Sequence, residues 1–156
     1  MSLQSDILKI ELDKLSADLT AKYDELGMRA SGKWEREKTV EVSQSGSVIS
    51  GKIEGMKYTE QLQFGRRPGR FPPIDSIEQW ISDKGITSEI PVRSLAFLIA
   101  RKIANEGTRY FKQGGTDLID SVITTSRIDE IVSKVGIINV ESIVSGFVSE
   151  LKKLAA

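Results

Sequence analysis

The chain has 156 residues, of which 39% are apolar and 28% are charged, and its 22 basic residues balance 22 acidic ones. That composition indicates one ordinary globular domain, and the absence of net charge disfavours binding of nucleic acid through a long-range field. The chain contains neither Cys nor His, which excludes disulfides, thiolate metal sites, cysteine nucleophiles and histidine general bases.

The first predicted element is an amphipathic helix over residues 5–28, in which Gly27 is a typical terminator. Ser5 and Asp6 are both suitable caps for its start. One face carries leucines at heptad spacing, namely Leu8, Leu12, Leu15, Leu19 and Leu26. Because polar residues cover the other faces, this leucine seam is buried either in the chain's own core or against another subunit.

A β region is predicted over residues 33–64. Apolar residues there alternate with polar ones, as in a half-buried strand. These apolar positions are Trp34, Val40 and Val42. A turn at 44–46 leads to a hairpin partner from Val48 to Ile53, which ends at Gly55. Residues 56–64 fit either a third strand or a helical turn.

Residues 65–73 form a predicted loop, here called the arginine loop, that holds three Arg, no acidic residue and three of the chain's four Pro. Proline restricts the backbone, so we expect a loop ordered by its contacts. The arginines are Arg66, Arg67 and Arg70, with Phe64 and Phe71 on either side. The loop is a solvated surface, a protein interface or a DNA-backbone contact. A DNA patch would extend through Arg93, Arg101, Lys102, Arg109 and Lys112.

A pair of helices is predicted over residues 74–107. Asp75 and Glu78 predict a capping box for the first helix, and Gly85 ends it. Its apolar face contains Ile74, Ile77, Trp80 and Ile81. The second helix has Pro91 in its first turn and ends at Gly107. Its stripe contains Val92, Leu95, Ala96, Ile99 and Ile103, and Phe97 and Leu98 make it apolar almost all round. We therefore expect it to be the central buried helix.

Residues 108–156 are a C-terminal extension. It opens with a loop in which Tyr110 and Phe111 are either docking anchors or core residues. A short helix from Ile128 ends at Gly136, and residues 137–144 begin either a last helix or a strand. Together the elements predict one α+β domain over 1–156, with an N-terminal helix in 1–28, a small antiparallel sheet and packed helices.

Nothing in the sequence predicts catalytic, cofactor-binding or metal-binding residues. Two carboxylate pairs, Asp75 with Glu78 and Asp129 with Glu130, suit helix starts better than catalysis. The arginine loop lacks the Lys-Ser/Thr ending of a phosphate-binding loop. No apolar run approaches the roughly 20 residues that cross a bilayer, and no signal-peptide pattern is visible. We expect a non-enzyme that stays in the cytoplasm or in a particle assembled there.

A set of motifs in fixed order runs from Tyr58 to Thr108. They are YTEQLQFGRRPG at 58–69, PPI at 72–74, IEQWI at 77–81, KG at 84–85, AFLIARKIA at 96–104 and GT at 107–108. As a set they resemble the small neck and tail-completion proteins of tailed bacteriophages, often described as minor tail components. No single motif would be specific.

The resemblance implies a structural virion protein in the head–tail neck, the connector or a tail-completion ring, assembled in the bacterial host cytoplasm. The implied partners are further copies of the chain and other neck or tail proteins, with non-specific contact to phage DNA in the channel. The candidate interface residues are Leu8, Leu12, Leu15, Leu19, Phe64, Arg66, Arg67, Arg70, Phe71, Tyr110 and Phe111. The alternative is a DNA-associated phage packaging or regulatory protein.

Overall fold

A computed structural model describes residues 2–136 and shows the predicted α+β class. Its elements in chain order are α1 (Leu3–Glu25), α2 (Lys33–Glu37), β1 (Thr39–Ser45), β2 (Val48–Glu54), α3 (Thr59–Phe64), α4 (Ile74–Asp83), α5 (Val92–Glu106) and α6 (Arg109–Lys112). A further helix, α7, occupies 125–136. The predictions for the tail from Asn139, including the strand or helix at 137–144, lie outside the described residues. None of the described helices combines the length and apolar character needed to cross a membrane.

The backbone divides into two compact units. Among the described residues, the first comprises 2–18, 39–54 and 122–136, and the second comprises 19–38 and 55–121. Helix α1 contributes to both. The single domain stays a prediction.

Helix α1 begins earlier than predicted. The Ser5 backbone N–H donates to the Ser2 hydroxyl at 3.2 Å, so Ser2 is the cap and the prediction of Ser5 or Asp6 is wrong. The predicted terminator is confirmed, because Gly27 has φ +68° and the Met28 N–H donates to the Tyr23 carbonyl at 3.1 Å. This is the Schellman arrangement, in which glycine accepts the left-handed conformation at the helix end.

The hairpin is confirmed, but its first strand is shorter than predicted. Strands β1 and β2 pair antiparallel with Thr39 opposite Glu54 and Ser45 opposite Val48. Trp34 belongs to α2, not to the strand. The turn falls at 46–47 rather than 44–46. Residues 59–64 are helical, so no third strand occurs within residues 2–136.

The core of the first unit forms where α1 packs on the hairpin and on α7. Its buried residues are Leu12, Leu15 and Ile131, and the hairpin contributes Val40, Val42 and Ile53. A Cβ at Gly51 would overlap the Leu12 side chain. The absence of a side chain at Gly51 therefore lets α1 approach β2 closely. The apolar alternation of the strands and the leucine spacing of the helix thus meet in one core.

A buried carboxylate adds a charged element to this core. Glu11 on α1 is almost fully buried, and its two oxygens accept from Lys14 at 2.9 Å and from Lys134 of α7 at 3.0 Å. The hydrogen bond from Lys14, followed by that from Lys134, lowers the pKa of Glu11 from its ordinary value of 4.5, although burial opposes the shift.

We expect Glu11→Gln to destabilise the protein by about 1–3 kcal/mol at neutral pH, because two ammonium groups lose their shared carboxylate. A carboxyl with a lowered folded-state pKa stabilises the fold above its unfolded pKa and loses that effect as pH falls through the folded value. The difference from wild type should therefore vanish in acid, as measured by urea unfolding across pH. Asp13→Asn, which removes an exposed partner of Lys9 on the same helix, is the control and should change little. A difference that persists undiminished at acid pH would contradict this account.

The core of the second unit lies between α4 and α5. It contains Ile77, Ile81, Ala96 and Ala100, with Ile74, Leu95, Ile99 and Ile103 at its margin. The two buried alanines form the centre of the α5 contact, while Phe97, Leu98 and Val92 remain exposed. The prediction that α5 is buried all round is therefore wrong, and so is the placement of Trp80 on the buried face of α4.

The capping box predicted for α4 is not formed. Pro73 occupies the cap position and makes no side-chain cap bond. Asp75 and Glu78 instead both accept from Arg93 Nη1, at 3.0 and 3.1 Å. The predicted ends of the two helices at Gly85 and Gly107 are confirmed.

Candidate docking surface

The arginine loop lies along α5 in the opposite direction. Near its start, the Arg66 N–H donates to the Thr108 hydroxyl at 2.9 Å, and the Arg66 carbonyl accepts from the Thr108 N–H at 3.0 Å. In its middle, the Gly69 N–H donates to the Ala104 carbonyl at 2.7 Å. Near its end, the Phe71 ring packs on Phe97 with centroids 5.6 Å apart. The loop is ordered by contacts, as its proline content predicts.

Two glycines allow this close approach. Gly65 has φ +76° and ψ −179°, and Gly107 has φ +79° and ψ +177°, a region that is essentially restricted to glycine. A Cβ on Gly65 would overlap the backbone nitrogen of Phe111, and one on Gly107 would lie 2.8 Å from the Arg66 carbonyl oxygen. The glycines of two separate sequence motifs therefore fit the same junction.

The contacts that hold the loop are mostly made by backbone atoms, which leaves its arginine side chains outward. Arg67 and Arg70 are exposed and Arg66 is half-buried. Among the described residues none of the three forms an ion pair. On α5, positions 97, 101 and 104 share one helical face, and Arg101 on that face is exposed.

Exposed aromatic rings accompany these charges. Phe64 is 61% exposed, and Phe71 and Phe97 are each 46% exposed. Together with Arg66, Arg67, Arg70 and Arg101 they form what we call the loop–helix surface. Phe111 is exposed beside Gly65 and Gly107, and Tyr110 is half-buried.

The sequence did not single out Phe97 for this surface. Phe97 is in an apolar run that predicted a buried helix, and 26 positions separate it from its partner Phe71. The apolar run was the available signal, because a helix that is apolar on all sides needs other segments to pack on every side of it.

The other predicted site residues fall elsewhere. The leucine seam is internal: Leu12, Leu15 and Leu19 are buried, and Leu8 packs against Leu12 and Leu15. The structure thus favours the core interpretation of the seam over the subunit interface. Arg93 and Lys112 are engaged by acids of this chain, the latter by Glu106 at 2.9 Å, so they add no unpaired charge to a DNA patch.

The loop–helix surface presents guanidinium groups and aromatic rings. Within residues 2–136 no group of three or more carboxylates converges as a metal would require. The carboxylates of Asp75 and Glu78 both pair with Arg93, which balances one of their two charges. Guanidinium groups beside exposed rings recognise carboxylates, phosphates and apolar side chains.

Comparison with known proteins adds no relative. No family model matches this chain, and no curated protein or solved structure is significantly similar to it.

Proposed function

We propose that this chain is a structural protein of a tailed-phage virion, part of the head–tail neck, the connector or a tail-completion ring, and that it acts by docking. The resemblance over residues 58–108 motivates the virion assignment. The observation that carries the docking role is the loop–helix surface, where backbone contacts fix a segment whose arginine and phenylalanine side chains face outward.

Rigid presentation of these side chains favours a protein partner. Binding costs conformational entropy for every segment that must become ordered. The loop is already held at three points, two on α5 and one at Thr108. Arginine and aromatic residues are enriched where interfaces are strongest. The Phe71 and Phe97 rings pack on each other, so they offer one shared apolar patch rather than two separate platforms for stacking bases.

The alternative function is that of a DNA-associated packaging or regulatory protein. The unpaired guanidinium groups favour it, because each could contact a phosphate. The chain's net charge of zero argues against DNA binding, and so do the ion pairs that engage Arg93 and Lys112. The alternative predicts binding to DNA that weakens steeply with salt.

Replacing Arg66, Arg67 and Arg70 together by Ser tests the docking role. The loop should stay in place, because the bonds from Arg66 and Gly69 are made by backbone atoms, and the melting temperature should change little. Self-association should weaken by about tenfold or more, as measured by sedimentation velocity. In the phage that encodes the protein, the variant should yield no infectious particles.

The matched control replaces Lys33, Lys52 and Lys57 by Ser, which removes the same charge from exposed sites outside the loop. It should associate and assemble normally. Normal infectious particles from the arginine variant would remove the loop from the interface. A wild-type protein that never associates but binds double-stranded DNA with a steep salt dependence would favour the alternative.

A further inference from the structure

A second exposed surface lies at the other end of α5. Arg93 binds both Asp75 and Glu78, which places the first turns of α4 and α5 side by side. Ile90 and Val92, where α5 begins, are 40% and 49% exposed. Glu89 is exposed beside them. We call these residues, namely Asp75, Glu78, Glu89, Ile90 and Val92, the acidic end.

The two surfaces carry opposite charge. At the acidic end Arg93 pairs with both Asp75 and Glu78 and balances only one of their two charges, and Asp75 keeps 88% of its side chain exposed. Glu89 adds a further exposed carboxylate. At the loop–helix surface, neither 64–72 nor 96–105 contains an acidic residue. Within residues 2–136 no ion pair joins the carboxylates of the acidic end to Arg66, Arg67, Arg70 or Arg101, so neither surface neutralises the other within one molecule.

We propose that the acidic end of one copy receives the loop–helix surface of a second copy. Both surfaces combine exposed apolar side chains with unbalanced charge, and the signs are complementary. The inference rests on the proposed self-association and adds the surface that receives the arginines. Contact between two loop–helix surfaces would instead bring Arg66, Arg67 and Arg70 against the same arginines of the second copy, and these like charges would repel.

The proposed pairing is heterologous, which means that the two surfaces of one copy bind two different neighbours. Every bound copy then leaves one surface of each kind unused at the ends of the assembly. Growth therefore continues until rotation closes a ring. A single copy with one surface disabled still binds through the other, and this property makes the pairing testable.

The test uses two full-length variants and sedimentation velocity. The loop–helix variant carries Arg66→Glu and Arg70→Glu. The acidic-end variant carries Asp75→Lys and Glu89→Lys. Each alone should associate about tenfold more weakly than wild type or worse. Mixed in equal amounts, they should form complexes, since each supplies the surface that the other lacks. Lys57→Glu, an exposed change of the same sign, is the control and should associate as wild type.

Because Asp75→Lys alters the first turn of α4, folding is checked by circular dichroism. Should that variant not fold, Glu89→Lys alone, outside any helix, replaces it. An acidic-end variant that associates as wild type would overturn the assignment of the receiving surface while leaving the docking role of the loop intact. A mixture of the two variants that forms no complexes would also overturn the assignment of the receiving surface. A wild-type protein that stays monomeric would instead overturn the proposed self-association.

Discussion

Gly65→Ala should detach the arginine loop from α5 and abolish the docking surface while leaving the hairpin unit folded. The new methyl group would lie 2.6 Å from the Phe111 Cα and overlap the Phe111 nitrogen, and this neighbour is backbone that cannot rotate away. The conformation at Gly65 is also one that alanine strongly disfavours. We expect the free energy of unfolding to fall by about 2–5 kcal/mol.

Amide hydrogen exchange locates the effect. The N–H groups of Gly69 and Thr108 donate to Ala104 and Arg66, so they should lose protection first, whereas the amides of β1 and β2 should keep theirs. Gly85→Ala is the matched control, because Gly85 has φ +66° but no atom near the added Cβ. It should cost only about 1–2 kcal/mol. Equal losses in the two variants would show that the tight junction with Phe111 does not hold the loop.

Local signals in the sequence predicted the boundaries of elements well. Gly27, Gly85 and Gly107 end helices as expected, because a left-handed or extended glycine conformation is needed at those points. The hairpin partner and its end at Gly55 followed from alternation and turn chemistry. These features depend on neighbours within a few positions, which a sequence displays directly.

The predictions that were wrong depended on distant residues. Asp75 and Glu78 have the spacing of a capping box, yet Arg93, at a sequence distance no pattern reveals, engages both. In α5 the small Ala96 and Ala100 face the core while Phe97 points outward. Apolar composition alone does not say which side of such a helix is covered.

The candidate surface was partly visible in the sequence. The charge and proline content of the arginine loop identified it, and three motifs of the resemblance, the glycine-arginine loop, the α5 run and the Gly-Thr pair, meet at one junction. The acidic end was not visible, since it exists only because α4 and α5 begin side by side. The leucine seam could not be assigned, because heptad spacing is the same in a core helix and in an interface helix.

Trp34→Ala should produce the largest loss of stability in the second unit. Trp34 is 2% exposed and stacks on Tyr23 with ring centroids 4.6 Å apart. Its Nε1–H donates to the Thr59 hydroxyl at 2.8 Å, and Lys38 Nζ lies 5.0 Å from its ring. Removing a buried indole leaves a cavity and costs about 3–5 kcal/mol, which lowers the melting temperature by about 10 °C.

The same contacts explain why Trp34 is in a helix, although it belongs with Val40 to the alternating apolar pattern that predicted a strand. A short helix lets the indole reach Tyr23 and Thr59, and this packing outweighs strand propensity. Trp34→Phe should keep the stacking and lose the hydrogen bond, at a cost of about 1–2 kcal/mol. Trp80→Ala is the matched control, because Trp80 is 42% exposed, and it should change stability little.

Titration of Tyr23 provides an independent readout of the cluster. Burial, followed by the nearby Glu35, raises the pKa of Tyr23 to about 12. Removing the indole that covers its ring should admit water and return this pKa toward 10.0. Ultraviolet absorbance of the phenolate would follow the change in variants that also carry Tyr58→Phe and Tyr110→Phe, in which Tyr23 is the one remaining tyrosine. A Tyr23 pKa that stays near 12 in Trp34→Ala, together with an unchanged melting temperature, would show that the stacked pair does not hold this unit together.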